Sequence, residues 1–127
     1  AASVLAAQEE TGDFFRDFRA QRETARADEI ALLDEIVHRE GAPEESVREA
    51  DARRIELTRQ TEQERAIETQ LVAKGFEDAA AFVQEGTVTI VVKRDRLSDE
   101  DTAQILEIAM RQTEQEAGNV KIIPVAG

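Results

Sequence analysis

The sequence contains no cysteine, no tryptophan and no tyrosine, and its aromatic residues are five phenylalanines. Without cysteine, the chain has no disulfides, no zinc–thiolate site and no thiol catalysis. The fold must therefore be held by an apolar core, and most of the apolar residues have to converge on it. A length of 127 residues suits one compact domain, or one domain with a helical arm.

The chain is also poor in positive charge. It carries 16 Lys and Arg against 28 Asp and Glu, and its formal net charge is −12. Because nucleic-acid backbones and anionic lipid surfaces are bound mainly by Lys and Arg, this balance argues against either as a partner. One short basic cluster, KRDR at residues 93–96, lies in a predicted loop. No apolar run reaches about 18 residues, so the sequence predicts no membrane-spanning helix.

Motifs for catalysis, metal binding and phosphate binding are missing as well. His38 is the single histidine, and no nucleophile or orienting partner can be identified for it. Carboxylates cluster at residues 44–51 and 99–101, but both clusters fall at predicted helix N-termini, where acidic residues are favoured, and neither matches an EF-hand. The six glycines are spread singly and form no phosphate-binding loop. We therefore predict no catalytic residue, no cofactor site and no metal site.

The chain begins its regular structure with a long helix. Residues 13–40 contain no Gly or Pro and are rich in helix-forming residues. Their apolar residues lie at the two ends and the middle is nearly all polar, so we expect this helix to project from the core instead of lying flat on it. Gly41 and Pro43 break the pattern and start a second helix, which runs to Lys74 and ends at Gly75.

Strand patterns follow the second helix. Residues 79–84 predict a weak strand, and a tight turn leads into residues 87–93, which alternate between apolar and polar. We expect the apolar face of this hairpin to pack on helices and the polar face to be solvated. Ser98 caps a third helix that runs to about residue 117. Residues 120–125 then predict a third strand, whose proline places it at a sheet edge.

The element order from residue 43 onward is α-β-β-α-β. It predicts an α+β fold, with two helices on one face of a three-stranded sheet in two layers, preceded by the long N-terminal helix. We divide the chain into a loosely ordered lead-in (residues 1–12), a helical arm (13–42) and the α/β domain (43–127). RNA-binding modules of the KH type share this order, but the G-x-x-G loop and basic groove that they need are absent here.

Two features predict protein partners. The first is a group of phenylalanines at the far end of the helical arm, where aromatic side chains either fold back on the core or are covered by another chain. The second is a three-stranded sheet with open edges, which can accept a partner strand. The candidate interface residues from these two features are Phe14, Phe15, Phe18, Val120, Lys121, Ile122 and Ile123.

The most specific pattern is the stretch AKGFEDAAAFVQEGTVTIVVK, followed by LSDEDTAQILEIAM and NVKIIPV. It resembles the stage III sporulation protein AH family of endospore-forming bacteria. The upstream segment FFRDFRAQRETARADEIALLDEIV is similar to that family's long helix, with an aromatic start followed by Arg-rich turns. The resemblance covers about residues 13–125. It implies a ring-building-motif domain, similar to the ring proteins of flagellar and type III secretion basal bodies.

The resemblance also implies a function. It indicates a non-enzymatic ectodomain of a sporulation channel component, with one N-terminal membrane anchor outside this sequence. The anchor would sit in the mother-cell membrane around the forespore, and the domain would face the intermembrane space. There it would bind the ectodomain of stage II sporulation protein Q and form homo-oligomers, assembling into a ring.

An alternative is a self-assembling ring or filament protein whose Phe-rich helix makes the homo-oligomer contacts. The long N-terminal helix is an addition to a plain ring-building motif. It either covers a ring interface or extends it, and the sequence leaves both possibilities open.

Overall fold

The computed structural model describes residues 11–126, with side chains from Phe14 onward. The predicted α+β fold with a long N-terminal helix is confirmed. Its elements in chain order are α1 (Thr11–His38), α2 (Glu44–Ala73), β1 (Ala79–Gln84), β2 (Thr87–Lys93), α3 (Asp99–Thr113), a short 3-10 helix (Ala117–Asn119) and β3 (Val120–Val125).

Two predicted helix boundaries lie elsewhere in the structure. The lead-in at residues 1–12 lies outside the described residues except for Thr11 and Gly12, which already belong to α1. The third helix ends at Thr113, before the predicted end near residue 117. Glu114 adopts a left-handed φ of 59°, which stops the helix there.

The sheet has the order β1-β2-β3, so β2 is its central strand. β1 and β2 form an antiparallel hairpin in which Gln84 pairs with Thr87 across the turn. Gly86 takes a φ of +77° in that turn, a conformation that L side chains rarely adopt. β3 returns through α3 and pairs parallel to β2, with Ile123 opposite Val91. β1 and β3 are therefore the two edges of the sheet.

The main core lies between one face of the sheet, here called the first face, and the two helices α2 and α3. Its buried residues alternate along the strands and recur at helical spacing, as the period of each element requires. They include Ile67, Leu71, Val88, Ile90, Val92, Ile105 and Ile108.

The end of α2 fixes where the hairpin begins. The N–H of Phe76 donates to the carbonyl oxygen of Leu71 at 3.2 Å, and the N–H of Gly75 donates to that of Val72 at 3.0 Å. Gly75 has a φ of +107°, and the pattern is a Schellman motif. Phe76 and Leu71 are both buried in the main core, so the cap turns the chain directly into the sheet.

The start of α3 is fixed by the predicted capping box. The Asp101 N–H donates to Ser98 Oγ at 3.0 Å, and the Ser98 N–H donates back to Asp101 Oδ2 at 3.1 Å. The Ser98 N–H and the Arg94 guanidinium, at 2.8 Å, lower the pKa of the Asp101 carboxyl below its ordinary value. Asp101 thereby ties the helix to the loop after β2.

The helix α1 does not project from the core, and that expectation is wrong. It packs along α2 and against β1. Phe15 is fully buried on the other side of the sheet, here called the second face, against Ala80 and Val91. The second face is therefore only partly solvated: Thr87 and Thr89 are half-buried, whereas Val91 is covered. The polar middle of α1 lies against the sheet because it finds hydrogen-bonding partners there.

Candidate protein-binding surface

Three arginines of α1 face the outer edge of β1. Arg19, Arg22 and Arg26 are spaced by three and four residues, so they stand on one side of the helix. We call them the arginine ladder. Their guanidinium groups donate, in that order, to the carbonyl oxygens of Ala79 (3.2 Å), Ala81 (2.6 Å) and Val83 (3.0 Å).

The amide groups of the same strand edge are bound by carboxylates. The N–H of Ala81 donates to Glu68 Oε2 at 2.9 Å, and the N–H of Val83 donates to Glu64 Oε2 at 2.8 Å. The two glutamates are one turn apart on α2. At the start of the strand, the Ala79 N–H donates to Asp78 Oδ1 at 2.8 Å.

The same carboxylates bind the arginine ladder. Arg26 makes a forked pair with Glu64, at 3.0 and 2.8 Å, and Arg22 donates to Glu68 at 2.7 Å. The Glu64 side chain is only 1% exposed, and those of Arg22 and Arg26 are 8% and 10% exposed. Buried charges are tolerated when they are paired with an opposite charge and hydrogen-bonded. Each of these three side chains has an ion-pair partner and also a hydrogen bond to the backbone of β1.

Side chains thus take the place of a neighbouring strand along β1. An edge strand normally presents a row of unpaired N–H and C=O groups that invites another chain. Here the outward groups of Ala79, Ala81 and Val83 are all occupied. The expectation of two open sheet edges is therefore wrong for β1.

The other edge is β3, and within residues 11–126 no strand pairs with its outer side. The Arg94 N–H donates to the Val125 carbonyl oxygen at 3.0 Å, so the odd-numbered residues of β3 direct their backbone groups toward β2. The even-numbered residues direct theirs outward. The Val120 N–H donates to the carbonyl oxygen of Ala117, and Pro124 has no N–H. Ile122 therefore carries the outward donor of this edge, which limits how a partner strand can pair.

The candidate side chains of β3 separate between the two faces. Val120 and Ile122 pack against the main core. Lys121 and Ile123 point to the second face and are exposed, Ile123 by 46%.

The aromatic end of α1 lies on that same face. Phe18 and Val125 both pack against the buried cluster of Phe15, Ala80 and Val91. Phe14 is 41% exposed, and its ring stacks on Phe18 with the centroids 6.2 Å apart. Phe18 and Val125 therefore connect the aromatic end of α1 with the end of β3 on the second face. We call Phe14, Phe18, Lys121, Ile123 and Val125 the second-face surface.

The structure thus places members of both sets of candidate residues on one face of the sheet, although they lie about a hundred positions apart in the chain. Phe14 and Phe18 from α1 share one face with Lys121 and Ile123 from β3. Phe15, at 0% exposure, has no surface left for a partner and leaves the candidate set. Val120 and Ile122 are half-buried against the main core, so most of their side-chain surface is already covered.

The basic loop is used within the chain. Arg94 pairs with Asp101 at 2.8 Å, and its guanidinium carbon lies 4.2 Å from the centre of the Phe76 ring. Lys93 Nζ pairs with Glu77 at 3.0 Å. These contacts fasten the loop to α3 and to the segment before β1, so Lys93 and Arg94 are already paired within the chain.

No chemistry-bearing cluster stands out in the part of the chain that the structure describes. His38 is exposed, and its Nδ1 lies 2.9 Å from the carbonyl oxygen of Asp34 in the preceding turn. Among residues 11–126, no group of three His, Asp or Glu side chains is placed to hold a metal ion. No described helix is long and apolar enough to cross a bilayer.

The domain is a mixed three-stranded sheet under α2 and α3. Its β1 edge is closed by α1, and exposed apolar side chains lie on its second face. This arrangement defines a class of α+β interaction domain. The chain belongs to the SpoIIIAH-like protein family, whose model matches residues 1–122. A solved chain from the "Structure of the SpoIIQ-SpoIIIAH pore forming complex" matches with a TM-score of 0.81 and 24% identity. The match covers 90% of this chain and 98% of that chain, and it shows a shared fold. No curated protein matches.

Proposed function

We propose that this chain is a non-enzymatic interaction domain of a sporulation channel, and that it binds the ectodomain of a SpoIIQ-like protein. One observation carries the proposal: the chain shares its fold over 90% of its length with a chain solved in a SpoIIQ–SpoIIIAH pore forming complex. Membership of the SpoIIIAH-like family points the same way. In this proposal an N-terminal anchor holds the protein in the mother-cell membrane, and the domain lies between the two membranes.

We assign the partner contact to the second-face surface. Phe14 and Ile123 are apolar side chains exposed by 41% and 46% on the second face, and Ile123 belongs to β3, the sheet edge that α1 leaves open. Exposed apolar groups flanked by buried ones are typical of the centre of an interface. Lys121 adds a positive charge at the rim of an otherwise acidic chain, which suits a partner with acidic residues near its apolar contact.

The test is gel filtration of this chain mixed with the SpoIIQ-like ectodomain. The two should co-elute at tens of micromolar, and Ile123→Asp should abolish co-elution while the circular dichroism spectrum stays unchanged. Ile55→Asp is the matched control, because Ile55 is 71% exposed on α2 and the charge change is the same. Separate elution of the unmodified proteins would refute the partner. Co-elution of Ile123→Asp would refute the assigned surface alone.

Ring assembly forms a second part of the proposal. The exposed β3 edge and Phe14 are also suited to contacts between copies of this chain. Light scattering of Phe14→Ala combined with Phe18→Ala separates the two uses, because an unchanged molar mass would remove the aromatic end of α1 from self-assembly. The same variant mixed with the SpoIIQ-like ectodomain then reports whether the Phe14 and Phe18 side chains contact the partner.

A further inference from the structure

The β1 edge has the form of a strand-accepting edge. Ala79, Ala81 and Val83 direct their N–H and C=O groups away from β2, and all six groups are bound by side chains. The strand AAAFVQ carries no charge. Two such edges could pair antiparallel without placing like charges opposite each other. The arginine ladder is what occupies this edge in the folded chain.

We propose that α1 is an autoinhibitory helix, which covers the β1 edge and prevents strand pairing there. While the arginine ladder is engaged, the domain accepts a strand only at β3. When the ladder is released, β1 pairs with the β1 edge of a second copy of this chain. The inference concerns the edge opposite the proposed partner surface, and it does not depend on the identity of that partner.

The glutamates of α2 block the β1 edge together with the arginine ladder. Glu64 and Glu68 bind the N–H groups of β1 only while Arg22 and Arg26 balance their charge. A buried carboxylate that loses its counter-ion is strongly disfavoured, so it moves toward water. Loss of the arginines therefore frees the donors of the edge as well as its acceptors. The outermost pair, Arg19 with Asp78, is about one-third exposed, and release should start there.

The test compares two double variants of the full chain. Arg22→Gln with Arg26→Gln removes the two buried members of the ladder. Arg53→Gln with Arg54→Gln is the matched control, because it removes the same charge and two ion pairs between α1 and α2 that do not touch the sheet. Light scattering gives the molar mass against protein concentration, and hydrogen exchange gives the protection of the Ala81 and Val83 amides.

We expect the mass of the ladder variant to rise toward twofold with concentration. Protection of the Ala81 and Val83 amides should rise in parallel, and the control should behave like the unmodified chain. Mere loss of stability would not produce protection that increases with concentration. A folded ladder variant whose mass matches that of the control, with no concentration-dependent protection of these amides, would overturn the proposal.

A milder variant covers the case in which the double change unfolds the domain. Arg19→Gln removes only the outermost member of the ladder, whose side chain is 34% exposed, and leaves the buried pairs intact. Loss of this outermost contact shifts the equilibrium toward release, so the mass should begin to rise at a higher concentration than in the double variant, together with protection of the Ala79 amide. A folded Arg19→Gln chain that lacks both effects would overturn the proposal equally.

Discussion

The pair of Arg26 and Glu64 offers a quantitative test of what the arginine ladder contributes to stability. Arg26→Met would leave Glu64, which is 1% exposed, with a single charged partner, Arg22 Nε at 3.5 Å. Removing one member of a buried ion pair costs about 3–5 kcal/mol. The free energy of unfolding should therefore fall by about 4 kcal/mol. With a urea m-value of about 2 kcal/mol/M, the midpoint should fall by about 2 M.

The combined change of Arg26→Met with Glu64→Leu separates charge from hydrogen bonding. Replacing a whole buried ion pair by apolar residues is often neutral or stabilising. Here both side chains also bind the backbone of Val83, through its C=O at 3.0 Å and its N–H at 2.8 Å. Each buried group left without a partner costs about 1–3 kcal/mol. Because two such groups are left, the double variant should remain destabilised by about 2–6 kcal/mol.

The measurement is urea unfolding followed by far-UV circular dichroism, at low micromolar concentration so that association does not contribute. The control is Arg53→Met, which removes the pair with Glu29, where both side chains are about 40% exposed. Exposed pairs contribute about 1 kcal/mol or less. If the double Arg26 and Glu64 variant is as stable as the unmodified chain, the hydrogen bonds to Val83 do not matter and the reasoning about edge closure is refuted.

Two further predictions concern other parts of the fold. Phe15→Ala should lower the free energy of unfolding by about 3–5 kcal/mol, because its ring is fully buried. Phe14→Ala should lower the free energy of unfolding far less. Equal melting temperatures for the two variants would contradict the packing described. The pKa of Asp101 is lowered by the Ser98 N–H and by Arg94, so its stabilising contribution is complete above the unfolded pKa of about 4 and is lost as the pH falls through the lower folded value. Asp101→Asn should therefore be less stable than the unmodified chain at pH 7, and the difference should shrink in acid. A difference that stays constant with pH would show that this carboxyl does not act through its charge.

Much of the fold is predictable because its signals are local. The alternation in residues 87–93 gives the central strand at its observed bounds, and the Gly75 and Ser98 signals give the helix end and start on either side of the hairpin. Such caps and turns depend on residues within a few positions of one another, so they can be read without knowing the tertiary contacts.

The candidate surface was predictable only in part. The sequence predicts Phe14 and Ile123 as candidates and both are exposed, but Phe15, next to Phe14 in the chain, is buried. A one-residue step along a helix rotates the side chain by about 100°, so neighbouring phenylalanines face different surroundings. Which of them is covered depends on Ala80 and Val91, whose position only the folded sheet defines.

Arg19, Arg22 and Arg26 are spaced by three and four residues, but the sequence predicts only that they belong to the polar middle of a projecting helix. The partners of these arginines lie far along the chain: Arg22 meets the Ala81 carbonyl across 59 residues, and Arg26 meets Glu64 across 38. A polar helix face has the same pattern whether water or a strand edge binds it.

The sequence by itself determined the element order, the strand bounds and the caps, because these follow from short-range periodicity and backbone preference. Only the tertiary structure decided that α1 lies on the sheet, that β1 is closed and that β3 stays open. Those features arise where groups distant in sequence leave water together, and the balance of desolvation and pairing depends on where each group sits in the folded chain.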